Sequence, residues 1–225
     1  MIRLVLFDID GTLIATGGAG LKAFAAVARS TFGQPDGVTG LNFAGRTDRS
    51  IVREFFVGCG IPATSENIDR FLDDYLFWLD HLIGRQPGRV LPGVPEALAG
   101  LRRRRHPPLV GLLTGNVRLG AELKLRHYGL WDAFAIGAFG DDHEDRNVLA
   151  AMARDRGAEW LGRDLAGDEV LVIGDTPLDI ACARAIGARC LAVATGGFSL
   201  ETLIGHAPTW AASRLDEVSV ADLCG

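Results

Sequence analysis

Asp8-Ile9-Asp10-Gly11-Thr12-Leu13 ends a short apolar run with two carboxylates two residues apart. In an extended segment such residues point to the same side, so the two acids share a face. Carboxylates that close repel each other, and one pKa rises unless a cation lies between them. Asp-Gly is also ordinary turn chemistry, so this segment alone reads equally well as a loop. A second segment, Leu112-Leu113-Thr114-Gly115-Asn116, ends another apolar run ahead of a helical pattern. A hydroxyl, an amide and free backbone N–H groups at a helix start suit a phosphate, and Thr114 or Asn116 is equally placed to cap that helix. In the third segment, Val172 to Asp179, Asp175 stands one residue past an apolar run and Asp179 one helical turn further on. Mg²⁺ is a hard ion held by one or two carboxylates together with phosphate oxygens and waters. A cap at Asp175 ahead of Pro177 is the plain structural alternative, but it leaves Asp179 without a role.

These segments need elements that position them. Continuous apolar runs at Leu4–Phe7, Leu109–Leu113, Ala133–Phe139, Val170–Ile173 and Cys190–Ala194 predict strands buried on both faces. Helical patterns over Gly120–Tyr128, Asn147–Arg156 and Pro177–Ile186 lie between them. The alternation predicts an α/β fold, a doubly wound parallel sheet. The interval from Ile14 to Val90 holds three helical stretches instead, Ala19–Phe32, Asp48–Val57 and Ser65–Ile83. Their aromatic residues Phe24, Phe55, Phe56, Phe71, Tyr75 and Trp78 recur at packing intervals. The expected organisation is an α/β core of residues 1–14 and 91–225 with a small all-helical unit, residues 15–90, inserted after the first strand. Ligands of open α/β sheets bind beyond the carboxyl ends of the strands. Asp8, Thr114 and Asp175 each stand at such an end, so one pocket can gather all three.

Composition narrows the partners. Net charge is −5 over 225 residues, which argues against nucleic acid as the main ligand. The one basic run, Arg102 to Arg105, closes an apolar-periodic segment before Pro107 and reads as a last helical turn. Cys59, Cys182, Cys190 and Cys224 have no metal-ligand spacing and are expected to be reduced thiols of a cytoplasmic protein. No apolar run approaches membrane-spanning length. Among the basic residues there are twenty-one Arg and only two Lys, Lys22 and Lys124, so each Lys stands out.

The residues Asp8-x-Asp10-Gly11-Thr12, the Thr114-Gly115-Asn116 strand end and Gly174-Asp175-x-x-x-Asp179 together resemble the haloacid dehalogenase-like hydrolases, in particular the phosphoglycolate-phosphatase-like branch. The resemblance covers nearly the whole chain, because the helical insertion resembles that branch's cap. It implies a phosphatase for a small phosphorylated metabolite. Asp8 would be the nucleophile that forms an aspartyl-phosphate, and Asp10 the general acid and base. Mg²⁺ would be held by Asp8, the Asp10 backbone carbonyl and Asp175, with Asp179 behind them holding the metal's water shell or a basic residue. Thr114, Gly115 and Asn116 would bind the phosphoryl oxygens.

The resemblance also implies one cation on the phosphoryl group, usually a Lys in a Lys-Pro segment. The stretch Gly140 to Asn147 holds no Lys. Lys124 and Arg146 are the two candidates, and a compact ammonium in a chain that rarely uses Lys favours Lys124. In the insertion, Arg46 could reach a second anionic group, with Thr47 beside it as a helix cap. Two other readings compete. A phosphomutase would return the phosphoryl group to a sugar, and a signalling domain would keep Asp8 phosphorylated without turnover. The Asp10 acid/base speaks against the second.

Overall fold

Leu4–Phe7 forms strand β1 with all four side chains buried. Leu4 and Leu6 enter one hydrophobic cluster, Val5 and Phe7 the other, which is the period of two that a strand covered on both faces requires. The computed structural model describes residues 1–225. After β1 the chain makes β2 (Ile14–Ala15), helices α1 (Ala19–Ser30), α2 (Asp48–Gly58) and α3 (Ser65–Ile83), and β3 (Arg89–Val90). β2 and β3 pair antiparallel, so the helical stretch leaves and returns through one two-stranded ribbon. Then follow α4 (Val94–Arg102), β4 (Leu109–Leu113), α5 (Arg118–His127), β5 (Ile136–Ala138), α6 (Arg146–Leu161), β6 (Val170–Gly174), α7 (Pro177–Ala185), β7 (Arg189–Val193), α8 (Leu200–Gly205), β8 (Trp210–Ala212) and α9 (Val220–Leu223).

The main sheet runs β5-β4-β1-β6-β7-β8 with every pairing parallel. Leu98 and Leu101 of α4, Leu125 of α5 and Val220 of α9 cover one face. Leu149 and Ala153 of α6 and Ile180 and Ala183 of α7 cover the other. The sheet is therefore doubly wound, with the order reversing at β1. Phe7 lies in register with Leu112 on one side and Ile173 on the other. That register brings the residues after β1, β4 and β6 to one edge at the point where the order reverses, and a crevice opens there.

Helices α1 to α3 carry their own cluster, in which Phe24, Phe55, Phe56, Phe71 and Tyr75 are buried and Trp78 is partly covered. Phe71 sits 4.9 Å from Phe24 and 5.1 Å from Phe55, ring centre to ring centre, in tilted packing. Val117 of the main unit joins this cluster, tying the helices to the strand-end loops.

Some expected bounds shift. The run expected as a strand over Ala133–Phe139 begins with a 3₁₀ turn at Trp131–Ala133, which leaves three residues to pair as β5. Helix α4 stops at Arg102, so the basic run lies mostly beyond it, and Arg104 instead donates to the Ala221 carbonyl and fastens α9. The short elements β2, β3, β8, α8 and α9 carry too few residues for a period to emerge. All four cysteines are unpaired, and Cys182, Cys190 and Cys224 are buried.

Candidate active site

Asp8 leaves β1 with its backbone N–H donating to Ile173 of β6 at 2.9 Å, which continues the sheet one residue further and buries the carboxylate. Two residues on, Asp10 lies half-exposed on the same side. Gly11 follows with a φ of 85°, and a Cβ there would stand 2.4 Å from Asp175 Oδ2. A Cβ on Gly196, in the loop after β7, would stand 1.7 Å from the same oxygen. Thr12 donates to Asp175 Oδ1 at 3.0 Å. Asp175 is thus seated between two positions that only glycine fills and held by one hydroxyl. Carboxylate oxygens of Asp8, Asp175 and Asp179 all lie within 4.8 Å of one another.

The β4 end builds a second cluster. Asn116 donates through Nδ2 to Thr114 Oγ1 at 2.8 Å and to Asp10 Oδ2 at 2.9 Å. Lys124, two turns into α5, donates to Asp10 Oδ2 at 2.7 Å and to Asn116 Oδ1 at 2.6 Å. Thr114 and Asn116 therefore do not cap α5. The expectation of a local cap gives way because their polar atoms are used by each other, Asp10 and Lys124. Just before the helix, Asp48 Oδ2 of α2 accepts from the Val117 N–H at 2.8 Å, and Asp141 accepts from Arg118. Gly115 is required by the same seam. Its carbonyl accepts from the Asp48 N–H at 2.8 Å, and a Cβ on it would lie 2.0 Å from the Arg46 carbonyl.

At the β6 end, Thr176 rather than Asp175 caps α7, in a reciprocal box with Asp179. Asp179 Oδ2 accepts from the Thr176 N–H at 3.0 Å and its hydroxyl at 2.7 Å, while Oδ1 accepts from Arg146 at 2.5 Å. Arg146 also reaches Asp8 Oδ1 and the Leu113 carbonyl, each at 3.4 Å, and the Gly45 carbonyl at 3.0 Å. Of the two roles expected of Asp179, its contacts match the grip on a basic residue: it holds Arg146, and both its oxygens are occupied. Asp8 and Asp175 keep oxygens free.

Burial pushes the Asp8 carboxyl well above the usual range, with Arg146 pulling back and Asp179 and Asp10 adding repulsion. Burial does the same to Asp175, reinforced by Asp8 and Asp179. Asp48 is pushed by burial up to about 6, with Lys124 the main opposing influence. Against burial, the charges of Asp10 and Asp48 hold Lys124 above the ordinary lysine value, so it stays cationic. Asp8, Asp10, Asp48, Asp175 and Asp179 thus gather around Lys124 and Arg146 alone. Excess buried carboxylate, all-oxygen donors and a glycine-walled seat for Asp175 fit a hard divalent cation.

Above these carboxylates lies a cavity of about 370 Å³. Asp8, Asp10, Thr114, Gly115, Asn116, Lys124 and Asp175 line its floor. Leu21, Phe24, Ile51 and Tyr75 from the inserted helices and Phe43 from the segment between α1 and α2 also line it. Arg46 borders the cavity, but its guanidinium turns onto its own segment, meeting Glu54, the Asn42 carbonyl at 3.5 Å and the Ser50 carbonyl at 3.3 Å. Arg146 and Asp179 do not line the cavity. Thr12, Asp48, Tyr75 and Gly196 also belong to the site, and sequence reasoning assigned them no role in it. Thr12 stood inside the first motif. The others carry no local signal, since Asp48 reads as a helix start and Tyr75 as packing.

The family profile described as haloacid dehalogenase-like hydrolase matches residues 5–193. A protein of Dickeya dadantii named "Probable phosphatase IndB" is 25% identical, over 97% of this chain and 92% of that one. A phosphoglycolate phosphatase of Chromobacterium violaceum is 29% identical, over 90% and 89%. Among solved structures, a predicted phosphatase from Clostridium acetobutylicum superposes with a TM-score of 0.76 at 20% identity, over 99% of each chain, a likeness of fold alone.

Proposed function

The chain belongs to the haloacid dehalogenase-like hydrolases and is a phosphatase of that family, and from that premise we propose that it hydrolyses small phosphate monoesters with Mg²⁺ through an aspartyl-phosphate on Asp8. The observation that carries the reading is the convergence of Asp8, Asp10, Thr114, Asn116 and Lys124 on one cavity floor. Residues 15–90 act as a cap, consistent with the apolar wall they contribute above that floor. A cytoplasmic setting, where thiols stay reduced, belongs to the same reading.

In this reading a carboxylate oxygen of Asp8 attacks phosphorus, and the bond from phosphorus to the alcohol oxygen breaks. Asp10 gives its proton to the departing oxygen. A water then attacks the phosphorus of the aspartyl-phosphate while Asp10 takes a proton from it, which releases inorganic phosphate and restores Asp8. Thr114, Asn116 and the backbone at Gly115 bind the phosphoryl oxygens, and Lys124 adds a positive charge beside Asp10. Asp8, the Asp10 carbonyl and Asp175 would hold Mg²⁺, which when bound offsets the negative charge between carboxylate and ester. Asp179 orients Arg146, and Arg146 steadies Asp8.

The test is inorganic phosphate release from a panel of phosphorylated metabolites, with Mg²⁺ and with chelator. Asp8→Asn is expected to lower kcat by roughly 10⁴-fold or more, as when a nucleophile acting in concert with its partners is removed. Full activity in that variant would dismiss the covalent route. Consumption of a sugar phosphate with isomer formed and no phosphate released would identify a mutase.

A further inference from the structure

Asp10 is held by one oxygen only. Asn116 Nδ2 and Lys124 Nζ both donate to Oδ2, at 2.9 Å and 2.7 Å, and no protein group donates to Oδ1. A carboxylic acid has one O–H, and with two donors already aimed at Oδ2 its proton belongs on Oδ1. The clamp therefore selects the oxygen that can face a departing alcohol, and its geometry depends on where Lys124 sits. An ammonium has three donors. Asp10 takes one and Asn116 Oδ1 a second, at 2.6 Å. The third is left for Tyr75 of α3, whose hydroxyl stands beside the ammonium. Burial raises that hydroxyl above its ordinary range, so it stays neutral and offers lone pairs. The Tyr75 ring lies over Gly120, one turn before Lys124 on α5, with Cε1 3.7 Å from where a Cβ would stand. At its tip, a Cβ on Gly20 of α1 would stand 3.6 Å from the hydroxyl and 3.9 Å from Lys124 Nζ. Glycine at both positions leaves this space to the tyrosine, and Phe24 packs edge to face against its ring at 5.0 Å.

We infer that Tyr75 is a positioning residue for the reaction: from the inserted helices it seats the Lys124 ammonium, and through Lys124 it keeps Asp10 turned with Oδ1 toward the departing alcohol. This rests on the phosphatase reading with Asp10 as the acid, and adds a residue that acts through another. Small displacements of a proton donor weaken proton transfer, because the donor must lie within hydrogen-bond reach of the atom it serves. Tyr75 belongs to α3 and Lys124 to α5, so Asp10 is fully oriented only while the inserted helices lie over the strand ends.

The experiment compares phenyl phosphate with p-nitrophenyl phosphate, two esters of similar shape, in the wild-type chain, Tyr75→Phe and Asp10→Asn, all with Mg²⁺. p-Nitrophenolate departs readily without a proton, whereas phenolate gains more from a well-placed acid. The quantity measured is kcat/KM, which reads the steps up to release of the phenol. Tyr75→Phe keeps the ring and removes only the hydroxyl. Its loss in kcat/KM should be at least about fivefold greater for phenyl phosphate than for p-nitrophenyl phosphate. A tyrosine that only supports the fold would weaken both alike, so equal losses, or no loss with either ester, overturn the inference. Asp10→Asn separates that failure from a failure of the acid. If Asp10→Asn loses more on phenyl phosphate while Tyr75→Phe does not, Asp10 stays the acid and only the role of Tyr75 falls. Equal losses in Asp10→Asn remove the acid role and this inference with it. Phosphate release from neither ester, nor from the metabolite panel, removes the phosphatase reading as well.

Discussion

Lys124 donates to Asp10 and Asn116 inside the cavity, whereas Arg146 donates to Asp179 and Asp8 beneath it. Both are buried, yet removing each has a different physical consequence. Lys124→Met keeps the packing and removes the charge beside Asp10, so with the phosphoryl group bound where we propose, kcat/KM should fall roughly 10²- to 10³-fold, the range for losing one oriented electrostatic group. Arg146→Met leaves Asp179 and Asp8 buried without their counter-charge, so its main cost should be stability, about 3–5 kcal/mol. Denaturant midpoints and kinetics measured on the same two variants separate these outcomes. If Arg146→Met stays folded with the larger kinetic loss, the two cations exchange roles.

Contacts between elements explain why the insertion reaches the floor. Asp48 opens α2 and accepts from the Val117 N–H ahead of α5, Thr47 donates to the Glu144 carbonyl at 3.0 Å, and Arg53 pairs with Glu144 at 2.6 Å. Of these, Asp48 has the largest pH signature. Its carboxyl rises from 3.8 to about 6 in the folded protein, so the fold binds a proton that the unfolded chain releases. That contribution to stability is fully present below the unfolded pKa and is lost as pH climbs through about 6. Two units correspond to about 3 kcal/mol. Asn in place of Asp48 can still accept from Val117 and has no charge to bury. The stability of Asp48→Asn relative to wild type should therefore rise between about pH 4 and pH 6 and then level off. A difference that stays flat across that range would mean that Asp48 does not titrate there.

At the scale of the whole molecule, the sheet gathers carboxylates that it cannot neutralise alone. Asp8 and Asp175 carry raised pKa values in the fold, so without a cation their contribution to stability is lost as pH climbs through those raised values. A divalent ion needs both deprotonated, so its binding releases protons and tightens with pH. The increase in Tm on adding Mg²⁺ should be larger near about pH 8 than near about pH 6. An equal increase at both would place the ion elsewhere. Gly196→Ala pushes a Cβ against Asp175 Oδ2 and should weaken Mg²⁺ affinity about 10- to 100-fold, measured by titration calorimetry. No helix is long and apolar enough to cross a membrane.

Much of this was legible along the chain, because strands buried on both faces leave unbroken apolar runs and each candidate acid stands just past one. Asp8, Thr114 and Asp175 were found by that rule, and the helical stretch from Ile14 to Val90 by its change of period. The caps were not legible. Thr114 and Asn116 look like caps for α5, but the acceptors before its first turn are remote: Asp48, sixty-nine residues before Val117, takes the Val117 N–H, and Asp141 takes that of Arg118. Residue type alone favoured Lys124 over Arg146, and where each side chain lies was not legible. In the fold the crevice opens toward α5, so Lys124 lines the cavity, while the start of α6 is buried behind Asp179. Periodicity and residue type are local and survive in one dimension. Which polar atom meets which is decided only when the sheet order reverses at β1 and the inserted helices fold back over the strand ends.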